Sequence, residues 1–398
     1  MNREQRDNRN RVTPPPVERI ELNVERPRLR IFLLVCALAV GLFFIGWGVY
    51  QLLHRDYGWT EISVTAGAGE TDAWAFHLEY EVSGSAEAKL LEKEYSELAV
   101  YAHKCFHSSA VFDGVVNLAD VNACPNTVLK VEPPLYDALR ALTEREDRYL
   151  FLGPVYEVYA NLFCSSSDME AASFDPRRDE ETAAYIHELL PFILDPGAVS
   201  LSLLGEGQVR LEVSEEYLAF AEENQISSFI DLSWMANAFQ IDCIADGLLR
   251  AGFRHGVLHS DDGFVRILDD RGERFSYPVY SRESGPLALM GEITVTGPMS
   301  LIRFRDWSGS DSLIDYCYTY EDGTCVTGFI DPSDGLSKSA LSELWCYSDE
   351  CSCGGLLAAA APLYIDESFD EGLAGEFSEG KIYFAYGLDS LFHDTGSA

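Results

Sequence analysis

SFIDLSWMANAFQIDCIADGLLRAGFRHGVLHSDDGFVRI, residues 228–267, reads as strand, helix, strand. Phe229-Ile230-Asp231-Leu232 is a short apolar run broken by one acid, which predicts a strand. Ser233 is placed to cap a helix, and Trp234, Ala238, Ile241, Ala245 and Leu248 then recur at helical spacing. Arg250 puts a cation in the last turn and Gly252 ends the helix. Phe253 to Leu258 predicts a second strand, with His259-Ser260-Asp261-Asp262-Gly263 as the polar loop beyond it. The two strands, near Ile230 and Gly256, are expected in one sheet under the Trp234 to Arg250 helix.

This stretch resembles the FAD:protein FMN transferases, the ApbE-like family, whose pattern here is close to I-D-L-G-G-I-A-K-G-Y-A-V-D-x-A-A-x-L-L followed by a strand and N-L-G-G-D. Ile230-Asp231-Leu232, Ala236, Asp242, Ala245 and Leu248 match. Ser233-Trp234 stands at the paired glycines, Asn237 at the lysine, and His259-Ser260-Asp261-Asp262 at the glycine turn. The frame is kept and the chemistry is altered.

Further motifs follow the family's order. Asn122 to Pro134 is similar to its asparagine, strand and helix start, and Leu135 to Tyr149 continues as an amphipathic helix. Gly153-Pro154-Val155 echoes a second signature, with Tyr149 at an aspartate position. Helices are predicted at 180–194 and 215–224, with acidic first turns that suit the helix dipole. Asp269 to Gly272 and Glu321 to Thr324 read as hairpin turns. Ile330-Asp331-Pro332 and Gly335 keep the family's H-I-I-D-P-x-T-G, but Gly328 occupies the histidine position and Asp334 the threonine position. At the helix start A-D-x-x-x-[ST], Gly355 replaces the metal-binding aspartate and Ala359 the hydroxyl ligand. A terminal strand is expected at 381–386, and the resemblance spans roughly residues 74–392.

The rest of the chain places this domain. Residues 1–30 are arginine-rich, interrupted by Pro14-Pro15-Pro16, and expected to be disordered. Residues 31–53 form 23 positions without a charge, long enough at ~1.5 Å per residue to cross a ~30 Å hydrocarbon core. A 30-residue n-region and a long apolar run argue for a retained anchor over a signal peptide. Residues 54–73 are read as a linker and 74–398 as the main domain. Eight arginines face five acids before the span, which leaves 21 basic and 60 acidic residues after it, a formal charge of −39. The basic flank predicts a cytoplasmic N-terminus and an outside C-terminal domain, in a single-pass cell-membrane protein. So acidic a surface repels nucleic acid.

Ten cysteines include Cys36 in the span; nine remain, an odd number that cannot all pair within one chain. Cys346, Cys351 and Cys353 lack the second pair a zinc site needs, so a disulfide staple or buried thiols are favoured. His255, His259, Asp261 and Asp262 suggest a metal set, but the two histidines would lie ~13 Å apart on a straight strand.

The fold expectation is therefore α+β, a mixed-sheet ApbE-like ectodomain behind one N-terminal transmembrane helix. The resemblance implies a family that moves FMN from FAD to a threonine or serine hydroxyl, with magnesium on the pyrophosphate. By family position, Asp231, Trp234, Ala236, Asn237, His259 and Asp331 are the candidate cofactor contacts, with Trp234 and Phe239 as aromatic walls and Asp331 shaping a turn. No catalytic or metal-ligating residue is assigned. FAD is expected to bind weakly, and Gly355 and Ala359 speak against magnesium. Three functions stay open. The first is a catalytically lapsed transferase-like protein used in binding or assembly with an extracytoplasmic protein partner. The second is a divergent active transferase, and the third an unrelated extracellular peptide- or cell-wall-binding module.

Overall fold

Eight strands form the central sheet in the spatial order Trp59–Ile62, Phe76–Glu81, Gly256–Ser260, Phe264–Ile267, Met299–Arg305, Glu343–Ser348, Tyr383–Leu388 and Leu391–Asp394. The computed structural model describes residues 27–53, 58–66, 75–145, 147–282, 286–307 and 316–396. It divides into two units, residues 1–56 and 57–398. In the first, Pro27–Leu53 is one helix whose stretch Ile31–Gly48 has a mean hydropathy of 2.5 and is fully exposed. By length and composition it can cross a membrane. The basic arm expected before it lies, up to residue 26, outside the described residues.

The second unit has the expected α+β class, and the alternation of its strands explains its layers. Leu78, Leu258, Phe264, Ile302, Leu344 and Phe384 point to the main core. The helices Ser85–Phe106, Ala236–Arg250 and Cys353–Tyr364 cover that face. Their neighbours Val257, Val265, Leu301, Trp345 and Ala385 point the other way, into a smaller core closed by the hairpin Arg274–Ser281 and Ala288–Thr296. Each described ladder of the central sheet is antiparallel, so the expected mixture of strand directions is absent. A second sheet has the order Val128–Lys130, Gln208–Val213 and Val199–Gly205; its last two strands lie in the chain between the helices Glu180–Leu194 and Glu215–Asn224, which are found where the sequence placed them.

Three local expectations are corrected. Residues 229–232 are not a strand: the Asn122 side chain accepts from the N–H groups of Phe229 and Ile230 and donates to the Ile230 carbonyl. The Asp231 N–H donates to Leu150. With its backbone polar groups met this way, the buried run needs no sheet partner, and Phe76–Glu81 takes the place beside Gly256–Ser260. The linker expected at 54–73 contains the strand Trp59–Ile62. Asp269 to Gly272 is no hairpin turn, since Phe264–Ile267 and the strand after it belong to different sheets.

Candidate functional site

The helix Ala236–Arg250 is entered through a strained turn. Ser233 has φ +44, and its N–H donates to Asp231 Oδ1 at 2.7 Å, so Asp231 supplies the turn and Ser233 makes no side-chain cap. Desolvation pushes the Asp231 carboxyl up despite that bond. The turn drives Trp234 inward, where it is 2% exposed. Its indole N–H donates to the Tyr156 hydroxyl at 3.3 Å, and its ring meets Tyr149, Phe304 and Phe329 edge-on. Trp234 is therefore a core residue, packed on several sides rather than walling an open pocket; Ala236 is the first residue of the helix proper.

One turn on, the Asn237 amide donates to Asp262 at 2.8 Å, and Ser260 Oγ donates to the same carboxylate. Burial still pushes the Asp262 carboxyl up to about 6. Two of the substituted family positions, the lysine's and the glycine turn's, are thus bonded to each other. The Gly328 N–H donates to the Tyr316 carbonyl at 2.9 Å, and a Cβ on Gly328 would sit 3.0 Å from Tyr316 Cβ and 3.6 Å from the Trp234 ring. Burial, with the Asp262 charge, holds the Tyr316 phenol well above its ordinary value. Between Asp262, Arg303, Arg305, Tyr316, Thr327 and Phe329 about 10 Å³ is left open, less than a small ligand needs.

The other motif positions lie around this packed centre. Asp242 pairs with Arg266 and accepts the N–H groups of Cys353 at 3.0 Å and Gly354 at 2.8 Å, closing the start of the helix Cys353–Tyr364. Ser352 Oγ accepts the Gly355 N–H at 3.2 Å. A groove of about 600 Å³ runs past Gly355 between Arg140, Phe239, Asp246 and Arg250. Phe239 is among its lining residues. Asp331 accepts the Ser333 N–H at 2.8 Å and pairs with Lys338 at 2.7 Å, the turn-shaping role foreseen for it, and Gly335 follows at φ +73.

His259 lies within the strand Gly256–Ser260 rather than in the loop, and stacks on His77 with ring centroids 5.1 Å apart. His77 in turn touches Glu61 and Asp261, each at 3.1 Å. The structure thus joins Trp234, Asn237, Asp262 and Gly328 in one cluster and leaves His259, Asp331 and Gly355 at its margins. Tyr316 and Arg266 were missed by sequence reasoning. Tyr316 occupies space beside a glycine twelve residues away, a relation that no local pattern signals.

No family model and no curated protein sequence matches this chain. Among solved structures, it is similar to the ApbE protein of Thermotoga maritima, with TM-score 0.53 and 14% identity, covering 85% of this chain and 96% of that one. The chain has the ApbE fold. The flavin transferase ApbE of Vibrio cholerae (TM-score 0.49, 15% identity, 80% of this chain and 92% of that one) and the flavinyl transferase ApbE of Pseudomonas stutzeri (0.49, 13%, 80% and 90%) are also similar.

The residues present do not fit the magnesium that the sequence resemblance implies. Magnesium takes hard oxygen ligands in near-octahedral geometry, and Gly355 and Ala359 carry no side-chain oxygen. The carboxylate nearest that helix start, Asp242, is already engaged by a guanidinium and two amides. The groove past Gly355 has the volume of a small-molecule site, but three acids, Asp137, Asp242 and Asp246, line it beside its two arginines. Such a lining is poor for a diphosphate.

Proposed function

We propose that this chain is a membrane-anchored, extracytoplasmic protein of flavin-transferase fold that has lost transferase chemistry and serves in binding or assembly. What carries the reading is the packing at Gly328: where the resemblance expects a histidine beside the acceptor hydroxyl, Tyr316 and Trp234 close over a glycine. Phosphoryl transfer rests on positioning and charge neutralisation. Here the lysine position is an asparagine bonded to a buried acid, and the metal positions hold no side-chain ligand atom. FAD is held weakly, along the Phe239 groove.

Incubating the purified chain with FAD, magnesium and a flavinylatable acceptor protein tests this. No covalent flavin fluorescence above a no-enzyme control is expected; its appearance overturns the lapse. The anchored topology has its own test in maleimide labelling of cysteines engineered into surface loops of the main domain. Labelling of intact cells is expected, and labelling only after lysis refutes the outside placement.

A further inference from the structure

The cysteines the sequence grouped, Cys346, Cys351 and Cys353, do not meet. Cys353 donates to the Val265 carbonyl at 3.3 Å, and Cys346 and Cys353 are buried. Two others do. Cys317–Thr319 and Cys325–Thr327 form a short antiparallel hairpin, with Cys317 opposite Thr327 and Thr319 opposite Cys325. These four side chains therefore share one face, and the sheet diagonal brings Cys317 Sγ and Cys325 Sγ to 3.0 Å. The turn is held by Tyr320 N–H to the Thr324 carbonyl and Gly323 N–H to the Tyr320 carbonyl, both 2.9 Å, so the register that sets the thiols on one diagonal is fixed locally. Both cysteines are partly accessible.

From this geometry we infer that Cys317 and Cys325 are a cross-strand disulfide site whose oxidation locks Tyr316 over Gly328. The sulfurs must close by about 1 Å to reach the ~2.05 Å of a bond. The chemistry is exchange with a disulfide oxidant, either a small-molecule disulfide or an oxidised thiol–disulfide oxidoreductase. The Cys325 thiolate attacks one sulfur of the oxidant and expels one thiol. The Cys317 thiolate then attacks Cys325 Sγ and expels the second. Two protein thiols are oxidised, one oxidant disulfide is reduced to two thiols, and the two protein protons leave with them. Cys325 suits the first role because the bond shared with Cys317 lowers the pKa of its thiol, favouring the thiolate, while raising that of Cys317.

The consequence reaches the packed centre. Tyr316 immediately precedes Cys317, and its carbonyl accepts the Gly328 N–H one residue beyond the opposite strand. In the thiol form a three-residue ladder holds that strand in place. In the disulfide form the covalent ring spans the same two strands, and opening at Gly328 requires opening the hairpin as a rigid piece. The inference goes beyond the lapsed-transferase reading and stands whether or not flavin is transferred.

The test uses the full chain in detergent. It is incubated with oxidised glutathione, its remaining thiols are blocked with N-ethylmaleimide, and it is digested without reduction. A Cys317–Cys325 linked peptide pair is expected as the dominant cross-link; maleimide on both cysteines, or linkage of either to another cysteine, overturns the site. Hydrogen exchange at the Gly328 amide is expected to slow by about tenfold on oxidation, since exchange follows local opening. That difference should vanish in Cys325→Ser, a near-isosteric change. An unchanged exchange rate on oxidation, or a difference that persists in Cys325→Ser, overturns the locking.

Discussion

Tyr316 lies across Gly328, bonded to it through the backbone at 2.9 Å and leaving 3.0 Å between its Cβ and the point where a Gly328 Cβ would stand. A histidine cannot be restored there without moving Tyr316 or Trp234. Gly328→His should therefore cost about 1–3 kcal/mol, the usual range for overpacking a filled interior. Gly355→Asp meets no such obstacle. Its Cβ would find its nearest neighbours at 3.7 Å, in the first turn of a helix, where a carboxylate adds about 0.3–1 kcal/mol. Urea unfolding of the two variants should separate them, and equal losses would contradict the packing described for Gly328.

Trp234 gives a sharper measure of whether the centre is filled. As a 2% exposed ring among Tyr149, Phe304 and Phe329, it should cost about 3–5 kcal/mol on truncation to alanine. A wall residue of an open flavin pocket would cost far less. Denaturant unfolding of Trp234→Ala reads this directly, and a loss below about 1 kcal/mol would return Trp234 to the pocket wall.

Asp242 ties three elements together, so its loss should exceed that of an ordinary ion pair. Asp242→Ala strands a mostly buried Arg266 and two helix-start N–H groups, at a cost of about 3–5 kcal/mol. Arg266 retains Asp246 at 2.8 Å, which holds the cost within that range. Adding Arg266→Met to Asp242→Ala removes the stranded charge but not the orphaned amides. The double variant should thus recover only part of the loss in thermal or urea unfolding, and full recovery would show that the amides carry none of the role.

The Ala236–Arg250 helix and the strand after it were legible because both periodicities and the terminal Gly252, at φ +94, are local facts. The turn at Asp331 was legible for the same reason. The Phe229–Leu232 run was misread because its apolar pattern cannot show that Asn122, more than a hundred residues earlier, satisfies its backbone. Motif order located the centre, since Asn237, Asp262, Trp234 and Gly328 do converge. That the convergence is packed shut depends on Tyr316, whose position across a hairpin no spacing rule reports. The disulfide geometry was hidden likewise: Cys317 and Cys325 are brought together by a register that only the folded hairpin defines.

The buried Asp262 should leave a signature in the pH dependence of stability. Its carboxyl is pushed up to about 6 by burial, against an ordinary value near 3.8, even though Ser260 and Asn237 donate to it. Between those values the folded chain holds a proton that the unfolded chain has released. Folding is therefore favoured at the acid end of the window, weakens as pH rises through it, and levels off above about 6. At ~1.4 kcal/mol per unit the shift corresponds to an effect on the order of 2–3 kcal/mol. Asp147 and Asp306 are pushed up to about 6 by the same cause and add to the wild-type slope, so the informative quantity is the difference between variants. Asp262→Asn removes one titrating group while its amide oxygen can still accept a bond. Its stability relative to wild type should rise by about 2–3 kcal/mol between about pH 4 and about pH 7 in parallel urea titrations. A difference that stays constant across that range would mean that Asp262 ionises as an exposed carboxyl does, and that the centre is wet rather than packed.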